Sequence, residues 1–372
     1  MHESPVAARR RRWPLFLPFG LVVVLAVLWS GAWYYVAARA QDAIADWRAR
    51  EARSGRAYDC GAQTMAGFPF RIEVRCAPAS AELPVMAPPL ALKMDDALFA
   101  WQIYQPGLVI AEFAGPLTLG ETGAPASLVA RWRLAQASVR ASLAGAERVS
   151  IVAEAPSVAR REAASHIEVL SAQHLELHGR RAGSAEAPAV DLALRLAGAV
   201  APTLHPLLAQ PLDAEAAGVL RGAMDVAAKP WPLLLKEWQA KGGSLEISKA
   251  RLQQGEVFAV GAGTLRLTPR GGLDGAMQVT VVELARVLRA LDIDRIVSQG
   301  EIGSAFDALD RMLPGLGAIA RQNATPGIVA GLGAIGENTT LEGKPAVSVP
   351  LRFDDGEVWL GPFRVGRIAP LF

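Results

Sequence analysis

The chain reads as a mainly β protein: one N-terminal transmembrane helix, a short stalk, then an elongated antiparallel β-sheet body, groove-like or curved, with a few covering α-helices. Three observations predict this class. The stretch from Trp13 to Ala38 holds no charged residue. Beyond residue 55, apolar and polar side chains alternate with period two in many short runs divided by Gly, Pro and Asp. Helical stripes are few and short by comparison.

Leu15 to Val36 would form a helix of roughly 33 Å, enough to cross the hydrocarbon core of a bilayer. Arg9–Arg12 precede it, which favours a cytoplasmic N-terminus, and Trp29, Trp33, Tyr34 and Tyr35 suit the opposite interface. Residues 1–13 are then a cytoplasmic basic tail, 14–37 the transmembrane helix, 38–54 a helical stalk and 55–372 a β-rich domain outside the cytoplasm. A cleaved signal peptide is the competing reading, because Ala38-Arg39-Ala40 is a small-x-small sequence. The apolar run is longer than a signal usually carries, which favours a retained anchor.

Composition bounds the partners. The 372 residues are 51% hydrophobic and 20% charged, ample for a packed interior. Of 38 Lys+Arg and 36 Asp+Glu, five Arg and one Glu fall in residues 1–39, so the remainder carries 33 basic and 35 acidic groups. No basic block remains to neutralise phosphates, and nucleic acid is not an expected partner.

In the stalk, Ile44 and Trp47 make a short stripe, and Asp46 and Arg50 have favourable i,i+4 spacing. The segment either stands free or packs locally on the body, and Ser54-Gly55 ends it. Next, Phe70, Ile72, Val74 and Cys76 alternate with Arg71, Glu73 and Arg75, as in a half-buried strand. Ala66-Gly67-Phe68-Pro69 supplies a reversal before it. A hairpin centred on Phe68 sets Cys60 opposite Cys76. These are the only two cysteines. Outside the cytoplasm a disulfide between them is favoured, with two buried free thiols as the alternative.

The anchor, the stalk, Cys60 with Gly67-Phe68-Pro69-Phe70-Arg71, and Cys76 resemble the proteobacterial family of domain of unknown function 2125 (DUF2125). Tyr104-Gln-Pro106-Gly-Leu-Val-Ile-Ala-Glu112, Gly115-Pro116-Leu117 and Asp355-Gly356-Glu-Val-Trp-Leu-Gly361-Pro362 extend the likeness across nearly the whole chain. A broader similarity is to AsmA-type envelope proteins, which use comparable hairpins and long β-meanders. The first resemblance brings no assigned catalytic residues. The second implies a membrane-tethered β-structure with an apolar groove that handles lipids. The anchor and its flanking arginines place the expected protein in the inner membrane with its bulk in the periplasm.

Leu90 to Leu119 suggests two or three strands, divided by Asp95-Asp96 and Pro106-Gly107. Strand patterns continue at Ser127–Ala135, Ser138–Ala144, Arg148–Ala153, Ile167–His178 and Val190–Val200. His174, Glu176 and His178 would share one face and Leu175 and Leu177 the other, a wet side over a buried side. His166 is nearby in sequence, but consecutive same-face strand residues lie too far apart for a compact metal site without a third contributor. Pro230–Lys241 has a helical stripe of Trp231, Leu234, Leu235 and Trp238. Strands follow at Leu245–Gln253, Val257–Leu267 and Ala276–Val282, then a helix carrying Leu284, Val287, Leu288 and Leu291. Arg251-Leu-Gln-Gln-Gly-Glu-Val257 echoes Arg352-Phe-Asp-Asp-Gly-Glu-Val358, from a repeated hairpin plan or convergent turn chemistry.

Between these echoes lie two further apolar stripes, Phe306, Leu309, Met312 and Leu313, then Ile328, Val329, Leu332 and Ile335. They are candidates for an apolar lid over one mouth of a β-groove, against ordinary core cover. Phosphate-loop, dinucleotide, His-Glu-x-x-His and Gly-x-Ser-x-Gly patterns are all missing. The expectation is therefore a non-enzymatic, membrane-anchored protein that needs no cofactor and binds a lipid or other apolar ligand in envelope biogenesis. The alternative is a structural or protein-interaction module of the envelope. Expected partners are the inner membrane, through the helix, a lipid or acyl chain, and other envelope proteins.

Overall fold

The computed structural model describes residues 13–142, 145–162, 165–184, 186–222, 229–290 and 336–372. It begins with one unbroken helix, α1 (Trp13–Arg53), of 41 residues. Its apolar part is long enough to cross a membrane, with mean hydropathy 2.0 over the best window of Phe16–Arg53. From Phe16 to Trp29 every side chain is exposed. From Ser30 onward one stripe turns inward, through Trp33, Ala37, Ala40, Ile44, Arg48 and Glu51, at the three- and four-residue spacing of a packed helix face. Residues 38–53 thus lie along the body rather than standing free of it. Trp47 stacks on Tyr58 at 4.9 Å and Arg48 donates to Gln63 at 2.8 Å.

The rest is dominated by a sheet of 19 strands, and every paired neighbour in it is antiparallel. In chain order the first are β1 (Ala57–Ala66), β2 (Arg71–Leu83), β3 (Leu90–Gln102), β4 (Gln105–Glu121), β5 (Leu128–Arg131) and β6 (Leu134–Ser142). Then come β7 (Gly145–Glu154), β8 (Ser157–Glu162), β9 (Ser165–Ser171), β10 (His174–Gly183), β11 (Pro188–Ala199) and β12 (Leu212–Arg221). Helix α2 (Trp231–Ala240) precedes β13 (Ser244–Gln254), β14 (Val257–Leu267) and β15 (Leu273–Val282), and α3 (Leu284–Ala290) follows them. The chain ends with β16 (Glu337–Leu341), β17 (Lys344–Asp354), β18 (Glu357–Leu360) and β19 (Phe363–Arg367).

The meander β1–β2–β3–β4 divides at its last strand. Leu108–Phe113 of β4 pair with β6, whereas Leu117–Leu119 pair with β5. Trp132 sits at the fork, its indole donating to the Phe113 carbonyl at 2.7 Å. One branch runs β5–β8–β9 and returns to the end of β11 through a bridge between Ser171 and Val200. The main path continues β6–β7–β10–β11–β12–β13–β14–β15–β17. Along the far edge of β17 lie β16 and β18, and β19 completes that edge.

Two expectations need correction. Neither Asp95-Asp96 nor Pro106-Gly107 divides strands: the first pair lies within β3, where the ladder to β4 shifts register between Met94 and Asp96, and the second lies within the start of β4, the break falling at Ile103-Tyr104. Arg75 on the neighbouring strand meets Asp96 at 2.9 Å, so a carboxylate can sit inside the sheet. The β1–β2 hairpin is also not centred on Phe68. Gly67, at φ +101, opens a reversal closed by the Arg71 N–H to the Gly67 carbonyl at 3.0 Å. The ladder consequently pairs Ala66 with Glu73, Gln63 with Cys76 and Cys60 with Ala79. The cysteines are not directly opposed, yet they are joined as a disulfide with Cα atoms 5.3 Å apart.

Buried side chains are gathered in patches rather than in one interior. One lies beneath α1, where Trp33 and Ala37 cover Ile72, with Met65, Trp101 and Ile103 around them. Trp33, expected at the membrane interface, is engaged in this packing, and its indole donates to the Arg71 carbonyl at 2.9 Å. A second patch holds Leu235 and Trp238 of α2 against Leu267, Leu220, Leu245 and Leu273. A third holds Leu284 and Leu288 of α3 against Val281, Val349, Ala259 and Val347.

Candidate functional site

Directly paired residues of an antiparallel sheet project to the same side, so the register identifies each face. The row Met65, Val74, Phe99, Ala111, Ala137, Ile151, Leu177, Leu194, Ala216, Ala250, Gly261, Val279, Val349 passes from β1 to β17 without one polar side chain. Parallel rows hold Val109, Val139, Val149 and Leu192, and Ala135, Ala153, Leu175 and Leu196. The opposite face carries polar groups at the same levels: Gln136, Glu176, Arg195 and Glu215 share one row, interrupted only by Val152.

The three described α-helices lie on the apolar face, and they lie toward its two ends. Exposure along the central row follows their positions: Val74 5%, Ile151 40%, Leu177 41%, Leu194 36%, Val349 0%. Phe99 and Val149 are also exposed. No described helix packs on β6, β7, β10 and β11: α1 lies against β1–β3, and α2 and α3 lie against β12–β15 and β17. Ala111 of β4, between Phe99 and Ile151 in the row, is buried at 7%, so the continuous open stretch runs over β7, β10 and β11, roughly 10 Å across at ordinary strand spacing. The face can accept a narrow apolar ligand, and on β7 and β10 its polar side chains, Glu147 and Arg181, come only at the end of the strands beyond Val149 and Gly179.

Where titratable groups do cluster, they do so on the polar face. His174 lies between two carboxylates, with Nδ1 2.8 Å from Glu154 and Nε2 2.8 Å from Glu176. His178 Nε2 stands 3.5 Å from the other oxygen of Glu176. The Glu176 contact, then the Glu154 contact, raises the His174 pKa above its ordinary value against an opposing effect of burial. The His174 hydrogen bond correspondingly holds Glu176 below the usual carboxylate range. His166 is elsewhere, opposite Arg161 on the β8–β9 branch. Among the described residues no group of His, Cys, Asp and Glu could hold a metal ion. A shallow depression nearby is lined by Arg148, Ser150, His178 and Arg180, and Asp191 holds Arg180 at 2.6 Å.

The candidate lid, Phe306, Leu309, Met312, Leu313, Ile328, Val329, Leu332 and Ile335, lies outside the described residues. Of the residues on the open face, sequence reading puts Leu175 and Leu177 on the buried side of a strand but does not join them to Val149, Ile151, Leu192 and Leu194. The available signal is three successive period-two runs with no helix nearby in sequence to cover them.

The family model described as an uncharacterized protein conserved in bacteria, DUF2125, matches residues 33–369. The chain belongs to this family. Its match opens at Trp33, the first strongly buried side chain of α1, and takes in every strand of the described sheet. No curated protein matches the chain.

Proposed function

We propose that this DUF2125 protein is a membrane-anchored, non-enzymatic protein of the bacterial envelope that holds the acyl chain of a lipid along the open apolar face. The carrying observation is the unbroken apolar row, closed toward both ends and exposed in the middle. Burying a Val, Leu or Ile side chain is worth about 1.5–3 kcal/mol. A face carrying Val149, Ile151, Leu177 and Leu194 half-exposed therefore favours an apolar occupant.

In this reading α1 is retained in the inner membrane, its N-terminus cytoplasmic and the sheet in the periplasm. Packing supports retention. Removal of residues 1–40 would strip Trp33 and Ala37 from Ile72, which is fully buried, and would remove the indole bond to Arg71. Four arginines before the apolar run support the orientation, and the disulfide suits an oxidising compartment.

The test is the lipid content of the full chain purified from membranes, with Ile151→Glu and Leu194→Glu as variants. Both sites are exposed, so a charge there is expected to spare the fold while removing bound lipid. Unchanged lipid content in both variants would refute the proposal.

A second reading, docking of another envelope protein, is favoured by the sheet edges. Among the described residues β1 pairs only with β2, and β19 only with β18. Unpaired edges of this kind accept an added strand.

A further inference from the structure

A hydrocarbon core takes up roughly 20 helical residues, and the charge-free run of α1 starts at Trp13. The outer boundary of the core therefore falls near Ala32, or near Tyr34 if the helix enters at Leu15. The β1–β2 turn is held at that same level. Trp29 donates through Nε1 to the Pro69 carbonyl at 2.8 Å. The Phe68 ring lies 5.6 Å from Trp33 and 6.2 Å from Tyr34, and Phe70 lies 6.4 Å from Trp29. The β3–β4 turn sits beside it, its Ile103 N–H donating to the Phe70 carbonyl at 3.1 Å.

Chain lengths explain the coincidence. From Trp33 to Arg53 the helix climbs about 30 Å, and the ten residues of β1 descend about 33 Å. The hairpin tip is thereby returned to the height at which α1 met the sheet. The tip is not a polar loop: Phe68, Phe70 and Tyr104 are 51%, 62% and 69% exposed. Exposed aromatics gathered at one height beside an apolar helix are the pattern of a membrane–water interface.

We propose that the β1–β2 and β3–β4 turns are seated in the interfacial layer of the bilayer that α1 spans. Phe68, Phe70 and Tyr104 then form a second, non-helical membrane contact that holds the first strands of the sheet at the bilayer surface. This rests on the membrane-spanning part of the function proposed above and is independent of whether the open face carries a lipid. The occupant is lipid because the rings continue directly into the helix surface from Phe16 to Trp29, which is exposed throughout and carries no charge.

The experiment uses the full chain in phosphatidylcholine nanodiscs. A single cysteine is added as Val24→Cys, Phe70→Cys, Tyr104→Cys or Thr122→Cys and carries a polarity-sensitive fluorophore, with Cys60 and Cys76 protected as the disulfide. Thr122 follows the far end of β4 and serves as the aqueous reference. Tyr104 is mostly exposed, so its variant remains informative if Phe70→Cys disturbs packing on Trp29. The expected result is blue-shifted emission at positions 70 and 104, quenched several-fold more strongly by headgroup-proximal nitroxide lipid than at position 122. Water-like, unquenched emission at 70 and 104 with quenching at 24 would overturn the seating while leaving the anchor intact. Absence of quenching at 24 would remove the anchor and the seating together. Blue-shifted emission at 70 and 104 that lipid nitroxide does not quench would mean that protein covers the turns, and would overturn the proposal.

Discussion

His174 illustrates how a single side chain links sequence register to pH. Pairing of β10 with β7 brings Glu154 opposite it, and strand periodicity brings Glu176 to the same side. The folded state raises the His174 pKa above 6.5, so its contribution is full below 6.5 and fades as pH rises through the folded value. Glu176, lowered from 4.5, contributes above 4.5 and fades as pH falls through its own folded value. The cluster therefore stabilises most between these two ordinary values. Comparing Tm across pH for the wild type and His174→Gln should show the variant losing part of the decline above pH 6.5; parallel curves would contradict the linkage. A second residue-scale prediction concerns Cys60–Cys76. Closing a loop of this length is worth about 3 kcal/mol in the chain-entropy model. Cys60→Ser with Cys76→Ser should lower the denaturation midpoint, and a reductant should then have no further effect. The pairing of these cysteines was legible in the sequence, whereas their register was not. The turn residues Gly67–Phe70 stand outside the ladder, and period-two alternation does not show where the centre of a turn falls.

Among the elements, helices with clear stripes were the most legible. The expected segment Pro230–Lys241 becomes α2, Trp231–Ala240, because Leu235 and Trp238 share the face that meets the sheet. The Trp238 indole donates to the Arg221 carbonyl at 2.7 Å, and Gly243 leaves room for its ring, since a Cβ there would collide with Trp238. Strand β12, Leu212–Arg221, escaped sequence reading because Ala214, Ala216, Ala217 and Gly218 carry little strand propensity. Neighbouring strands on both sides supply the pairing that propensity lacks. The two echoing segments do both form tight hairpins, but their turns are out of phase. Gly255-Glu256 lies between the paired Gln254 and Val257, and Asp355-Gly356 between Asp354 and Glu357. Shared letters thus give shared turn chemistry without the same turn position. For α1, the docked half should be part of the cooperative fold. Trp33→Ala removes a buried ring and its bond to Arg71, and is expected to destabilise the body by about 3–5 kcal/mol in chemical denaturation. An unchanged midpoint would show that α1 does not belong to the folded unit.

At the scale of the molecule, a sheet of 19 strands carries an apolar face that the described helices cover only toward its ends. The sequence showed that the body is β-rich and that its strands alternate, which identifies an apolar side for each strand. Order across the sheet was not legible. The fork at β4, and the jump from β7 to β10 past the β8–β9 branch, depend on pairings between segments distant in sequence. The continuity of Ile151, Leu177 and Leu194 follows from those pairings alone. A charge placed in the open stretch tests its role apart from its stability. Leu177→Glu, at a side chain with substantial exposure, is expected to keep Tm nearly unchanged while lowering bound lipid, as read by mass spectrometry of lipid extracted from the purified chain.

Leu194 and Arg195 are adjacent, both exposed, and on opposite faces of β11. A photoreactive benzoylphenylalanine in place of each, irradiated in intact membranes, compares the two faces in one strand. The account predicts a lipid-mass adduct from position 194 and none from position 195. A protein adduct at 194, or equal lipid labelling at both positions, would contradict it.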